Sequence, residues 1–298
     1  QYSLMKLQLL RATSTLFAIL TFIITETSTA QSGLDESFGD NGEVTTNFGI
    51  GFAEGRKVLE LPNGKLLAVG DYDDTGTFDT EIIVARYNAD GSLDTSFGTG
   101  GTTALKINAL DTSSDDAVLD ASGRILIVGF TVDSSDNETT YLMRLTATGD
   151  LDTTFGNNGV AQIAFDSTTG SFASSVLVQP DGRILVAGAT ITDVGMGEEL
   201  GDFGLARYTA SGALDTSFGT GGNVITDFNA NSLDAIFTLN ILSNGKIVAV
   251  GNSFIDDVDG SESDVILARY NSNGSLDSTF GINGLTTVEF ANQSTAIY

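Results

Sequence analysis

The chain has 298 residues and a formal charge of −26, set by 39 acidic against 13 basic side chains. A field of that sign repels phosphate backbones and anionic lipid, so nucleic acid is excluded as a partner. Cysteine and histidine are both missing from the sequence. Disulfides, thiolate chemistry and the usual general base are therefore excluded as well.

Residues 1–30 read as a secretory signal peptide. Lys6 and Arg11 precede an apolar run at 16–24 that is too short to cross a bilayer, and Ser28 and Ala30 offer small residues for cleavage. Cleavage after Ala30 predicts a secreted or cell-surface protein with no membrane insertion. The remaining 31–298 is rich in glycine between short apolar runs, the pattern of strands joined by turns.

Internal repetition decides the fold class. Leu-Asp-x-x-Phe-Gly occurs at 34–39, 93–98, 151–156, 214–219 and 276–281, with successive aspartates 59, 58, 63 and 62 residues apart. Each unit carries an Asn-Gly, Asp-Gly or Ser-Gly turn followed by an apolar strand, as in Asn63-Gly64-Lys65-Leu66-Leu67-Ala68-Val69-Gly70. Asn-Gly and Asp-Gly predict a type I′ hairpin, which needs positive φ at both central residues. A second apolar strand ends in Ala85-Arg86-Tyr87, Met143-Arg144-Leu145, Ala206-Arg207-Tyr208 and Ala268-Arg269-Tyr270.

The first unit thus predicts strands near 43–48, 56–61, 65–70 and 82–88. Four antiparallel strands at a fixed period describe an all-β chain, a β-propeller of four-stranded blades. A row of separate sandwiches fits less well, since one small sheet cannot bury both of its faces alone. The units run about 34–92, 93–150, 151–213 and 214–275. Residues 276–298 begin a fifth, so the expectation is an incomplete propeller.

Together, Asp-Gly-[Lys/Arg]-Ile-Leu-Val-x-Gly, Ala-Arg-Tyr and Gly-x-Leu-Asp-x-x-Phe-Gly resemble the delta-60 repeat over residues 32–298. That resemblance implies an exported bacterial protein and a β-propeller. It implies no reaction.

The last four motif aspartates each lie eight residues after an arginine: Arg86 and Asp94, Arg144 and Asp152, Arg207 and Asp215, Arg269 and Asp277. Fixed spacing of opposite charges predicts a recurring structural ion pair, to which the planar guanidinium is suited. The aspartate could also cap its own turn. A wedge between blades is the expected role of the motif phenylalanine.

Acidic residues crowd the segment between the two apolar strands of each unit. Asp71, Asp73, Thr75 and Asp79, and likewise Asp257, Asp259, Ser261 and Asp264, place oxygens at alternate positions as calcium loops do. Neither set has the glycine or the bidentate glutamate of an EF-hand, and a solvated acidic loop explains them more simply. Three functions follow. A binding or scaffold module taking a protein or glycan on its variable loops is favoured. Calcium-stabilised adhesion or glycan binding is the second. A glycoside hydrolase or lyase using paired carboxylates is the third, although no one pair stands out.

Overall fold

The computed structural model describes residues 33–288, apart from 50, 74–79, 109–110, 136, 167–169, 196–197, 229–231 and 258–259, and without side chains at 193–199 and 255–263. The segment expected to be a signal peptide, 1–30, lies outside the described residues. Among these residues every regular element is a strand.

Four sheets follow one another. The first holds β1 (Phe52–Glu60), β2 (Leu66–Asp73), β3 (Thr80–Tyr87) and β4 (Thr102–Leu105). The second holds β5 (Asp111–Leu119), β6 (Ile125–Val132), β7 (Glu138–Leu145) and β8 (Val160–Gln162). In the third, β9 (Gly170–Val178), β10 (Ile184–Gly195), β12 (Phe203–Tyr208) and β13 (Asn223–Thr226) are joined by the short β11 (Glu198–Leu200). The fourth holds β14 (Leu233–Ile241), β15 (Ile247–Asp257), β16 (Gly260–Tyr270) and β17 (Leu285–Val288). All neighbours in a sheet are antiparallel.

The fourth strand of each sheet lies beyond the next Leu-Asp-x-x-Phe-Gly motif. Three strands therefore come from one repeat unit and the fourth from its successor. Residues 43–48, expected as a first strand, occupy this fourth-strand position ahead of the first sheet. There, among the described residues, the one β-bridge is from Asp40 to Glu43, and the Thr46 hydroxyl hydrogen-bonds that of Tyr87.

The second and third strands are buried on both faces, which is why they read as unbroken apolar runs. On β6, Ile125 and Ile127 enter a core shared with the first sheet, while Leu126 and Val128 enter one shared with the third. Likewise β12 sends Ala206 and Tyr208 toward the second sheet and Phe203 and Leu205 toward the fourth. Three cores thus sit at three junctions, each between consecutive sheets. Phe97, Phe155 and Phe218 are fully buried, one in each core, in the wedge position expected of the motif. The first strands β1, β5, β9 and β14 pack on one another in series and form the inner edge of the array.

Two local features explain the repeated glycines. The turn after β1 is Pro62-Asn63-Gly64, with Gly64 N–H donating to Leu61 O at 2.9 Å and only the glycine at positive φ, 78°. This is a type I turn followed by a left-handed glycine, in place of the expected type I′. Proline fixes the first central φ near −65°, which a primed turn cannot accept. Each first strand also carries a bulge, between Gly55 and Lys57 in β1 and between Ser114 and Asp116 in β5. A Cβ on the facing Gly70 or Gly129 would collide with the Glu54 or Ser113 carbonyl.

Candidate functional site

The charged residues fall into three groups, and the recurring one comes first. Arg86, Arg144, Arg207 and Arg269 stand at the ends of the third strands. Each Nε donates to an Oδ2 at 2.6, 2.8, 2.8 and 2.6 Å, on Asp94, Asp152, Asp215 and Asp277 respectively. The other carboxylate oxygen accepts from the backbone and hydroxyl of the residue two further on, Ser96, Thr154, Ser217 or Thr279. The ion pair and the turn cap, weighed as alternatives in the sequence, coexist on the two oxygens.

The clasp reaches the next blade as well. Nη1 of Arg86, Arg144 and Arg207 donates to the carbonyls of Ala147, Ala210 and Ser272 at 2.7, 2.5 and 2.7 Å. All four guanidinium groups lie over the motif phenylalanine, 4.5 to 4.8 Å from the ring centre. A second cation from the first turn approaches each aspartate: Lys65 at 2.7 Å, Arg124 at 3.8 Å, Arg183 at 3.4 Å and Lys246 at 2.6 Å. The lysine contacts hold Asp94 and Asp277 far below the usual carboxylate range. The hydroxyls of Ser217 and Thr154 lead in lowering Asp215, to about 2, and Asp152. Such groups stay ionised and suit structure rather than proton transfer.

The calcium candidates lie elsewhere than expected. Asp71 and Asp73 belong to β2 and not to a loop, because the apolar strand continues past Gly70. Asp71 is buried, accepts from Arg56 Nε at 2.9 Å, and takes both the backbone N–H and the hydroxyl of Ser114 on the neighbouring sheet. Its Oδ1 thereby joins sheet one to sheet two, while Oδ2 is engaged within sheet one. Asp73 faces Thr80 across β2 and β3, and Thr75 and Asp79 lie outside the described residues. Asp257 pairs with Gly260, Ser261 with Asp256, and Asp264 with Ser253 in the β15–β16 hairpin. Asp259 and the side chains of Asp257 and Ser261 lie outside the described residues.

The second group surrounds Asp71. Lys57 pairs with Asp116 at 2.6 Å, and Asp116 accepts from Val176 N–H of the third sheet at 3.0 Å. Asp115, on the bulge of β5, has a buried Oδ2 with no hydrogen-bond partner. Burial first, then the nearby Asp71, Asp116 and Glu138, pushes its carboxyl up to about 7 against the pull of Arg56.

The third group escaped sequence reasoning. Asp202 before β12, Asp227 after β13 and Asp234 in β14 bring carboxylate oxygens within 4.8 Å of one another. Asp234 is fully buried and accepts from Phe228 N–H and from the hydroxyls of Ser232 and Ser253. Burial, followed by the neighbouring acids, raises both Asp202 and Asp234. A signal was present in the repeat. Thr112 and Ser171 cap the matching N–H groups of Ile107 and Phe165 with hydroxyls, and the fourth blade alone of these three uses a carboxylate.

A family model described as a domain of unknown function (DUF5122) beta-propeller matches residues 61–97, 121–155, 179–218 and 242–280, just over half of the chain. No curated protein matches the sequence. Among solved structures, a hypothetical protein from Leishmania major is similar at 13% identity and TM-score 0.38, covering 78% of this chain and 66% of that one. A mannose phosphorylase from Leishmania mexicana is similar at 12% and 0.37, covering 73% and 63%. A GH43 endo-arabinanase from Bacillus licheniformis is similar at 15% and 0.39, covering 71% of each. The chain therefore spans less than two thirds of the length of the first two, and none of the three lends it a site residue.

Proposed function

Because the chain belongs to the DUF5122 β-propeller family, we propose that it is an exported binding or scaffold module that takes a protein or glycan on the loops between its second and third strands. The delta-60 resemblance, which rests on three signatures recurring in phase, agrees with export. One observation carries the reading. The repeated ionic residues close on one another in every blade at the turn end of the strands, whereas the connections at the opposite end differ. The β6–β7 connection is a short turn, the β15–β16 hairpin closes tightly at Asp257 and Gly260, and β10 continues into the extra strand β11. A constant frame with variable loops is how folds present ligand surfaces.

The test is an array of glycans and cationic proteins probed with the wild-type chain and with a variant carrying Asp133→Asn and Glu138→Gln. The expected result is a retained ligand that the variant loses at an unchanged melting temperature. An array with no retained ligand, a ligand held equally by the variant, or hydrolysis of an arrayed glycan overturns the reading.

A second reading, calcium stabilisation, is favoured by the convergence of Asp202, Asp227 and Asp234. Among the described residues no lysine or arginine forms an ion pair with these three, and a hard cation takes carboxylate oxygens. Millimolar calcium should raise the melting temperature over that in chelator, and Asp227→Asn should remove the difference. Equal melting in calcium and chelator sinks this reading.

A further inference from the structure

At the turn end of the strands, opposite the acidic loops, a cavity of about 350 Å³ lies between the first turns of blades two and three. Leu126, Val178 and Ile184 supply apolar wall, and Asp120, Arg124 and Gln179 supply polar groups. Gln179 is the unusual member. It is 8% exposed, and its Oε1 has no hydrogen-bond partner. A desolvated acceptor left unpaired costs about 1–3 kcal/mol, so such a group calls for an explanation.

The repeat offers an internal comparison. The position of Gln179, immediately before the first turn, is Leu61 in blade one and Leu242 in blade four. Leucine therefore satisfies the fold at this place. In blade two the position is Asp120, whose Oδ2 accepts from Arg124 Nε at 2.6 Å. A carboxylate paired within its own turn and an amide oxygen without a partner thus line the same cavity, beside apolar side chains. Gln179 lines the cavity, and its amide offers both an acceptor oxygen and a donor nitrogen to a ligand there.

We infer that this cavity is a subsite for one sugar ring, with Gln179 as its specificity-determining contact. A pyranose has an apolar C–H face and a rim of hydroxyls that both donate and accept. The wall of Leu126, Val178 and Ile184 meets the face, while the amide, the carboxylate and the guanidinium meet the rim. The Asp120–Arg124 pair is internally neutralised, so the cavity favours neither a phosphate nor a free cation. Its volume is at the lower end of the range of about 300–1,000 Å³ for small-ligand sites, matching one ring rather than a chain. This subsite is separate from the loop surface proposed above and stands or falls independently of it.

The test follows the Gln179 side-chain amide resonance of the full chain by NMR. D-glucose, D-galactose, D-mannose and N-acetyl-D-glucosamine are titrated singly to about 100 mM, enough to reach millimolar dissociation constants. The expected result is a saturable shift with at least one sugar. Gln179→Leu, a residue the same fold carries at two equivalent places, should leave the protein folded and reduce the saturable shifts of neighbouring resonances at least tenfold in affinity. If no sugar of the four gives a saturable shift, the amide is satisfied by water and the inference is overturned. Equal affinity in Gln179→Leu overturns it too.

Discussion

The clasp at the turn end and the inner strands of the same blades follow opposite plans. Every clasp uses arginine, aspartate and phenylalanine in the same geometry. The inner strands change character from blade to blade. The bulge residue is Arg56 in the first sheet, Asp115 in the second, Ser174 in the third and Phe237 in the fourth. At their inner strands, sheets one and two therefore add ions to the apolar core they share, with Arg56, Lys57, Asp71, Asp115 and Asp116 close together. Sheets three and four meet through Ile236, Leu239 and the Ser174 hydroxyl on the Ile236 carbonyl. Stability is delegated to what repeats, which leaves the inner strands free to vary.

If that division is correct, damage to a clasp should outweigh damage to an inner-strand ion. The largest effect is expected from Phe155→Ala. It empties a fully buried wedge between sheets two and three, and should cost about 3–5 kcal/mol in chemical denaturation. A loss below 1 kcal/mol would place the stability elsewhere.

Next comes Arg207→Ala. It strands the carboxylate of Asp215 and frees the Ser272 carbonyl, but Arg183 remains nearby at 3.4 Å. A loss of about 2–4 kcal/mol is expected, at the lower side of a broken buried pair. An unchanged melting temperature would reduce the recurring pair to surface decoration.

The smallest effect concerns the inner strand and depends on pH. The Asp115 carboxyl titrates at about 7 in the folded chain, above its ordinary value of 3.8. The folded state then holds the proton more tightly than the unfolded state. The stability that this group contributes is full below about pH 4 and is lost as pH rises through 7. Asp115→Asn should remove this slope. Relative to wild type it should gain stability on going from pH 5 to pH 8, on the order of 2 kcal/mol. Parallel melting curves for the two proteins across that interval would show that the carboxyl is ionised throughout and that the sheet-one junction carries no strained acid.

Much of this was legible in the sequence because the repeat supplies its own controls. The five motif copies bracket the four sheets, and the constant eight-residue interval brought Arg86 onto Asp94 in a turn short enough to be local. The ownership of the fourth strand was not legible. Residues 43–48 and 102–105 have similar patterns, and pairing across a motif is a tertiary choice that no local propensity records. The reading of Asp71 as a loop residue failed for a related reason. Its acidic character suggested solvent, but Arg56 lies 15 residues away in sequence and Ser114 lies 43 away. Asp202, Asp227 and Asp234 were invisible as a set because they converge from three different connections. What could have marked Asp234 and Gln179 was their departure from the repeat at positions where other blades use hydroxyls or leucine.

The strand borrowed across each motif has a consequence for how such a chain can be copied and cut. The segment that recurs in sequence is offset from the segment that folds as a sheet, so consecutive units overlap like roof tiles. Duplication of any stretch of about 60 residues, wherever its ends fall, restores one whole sheet and both of its seams. A protease that nicks a single motif turn leaves the two pieces interlocked, because the short strand on one side remains hydrogen-bonded to its partner on the other.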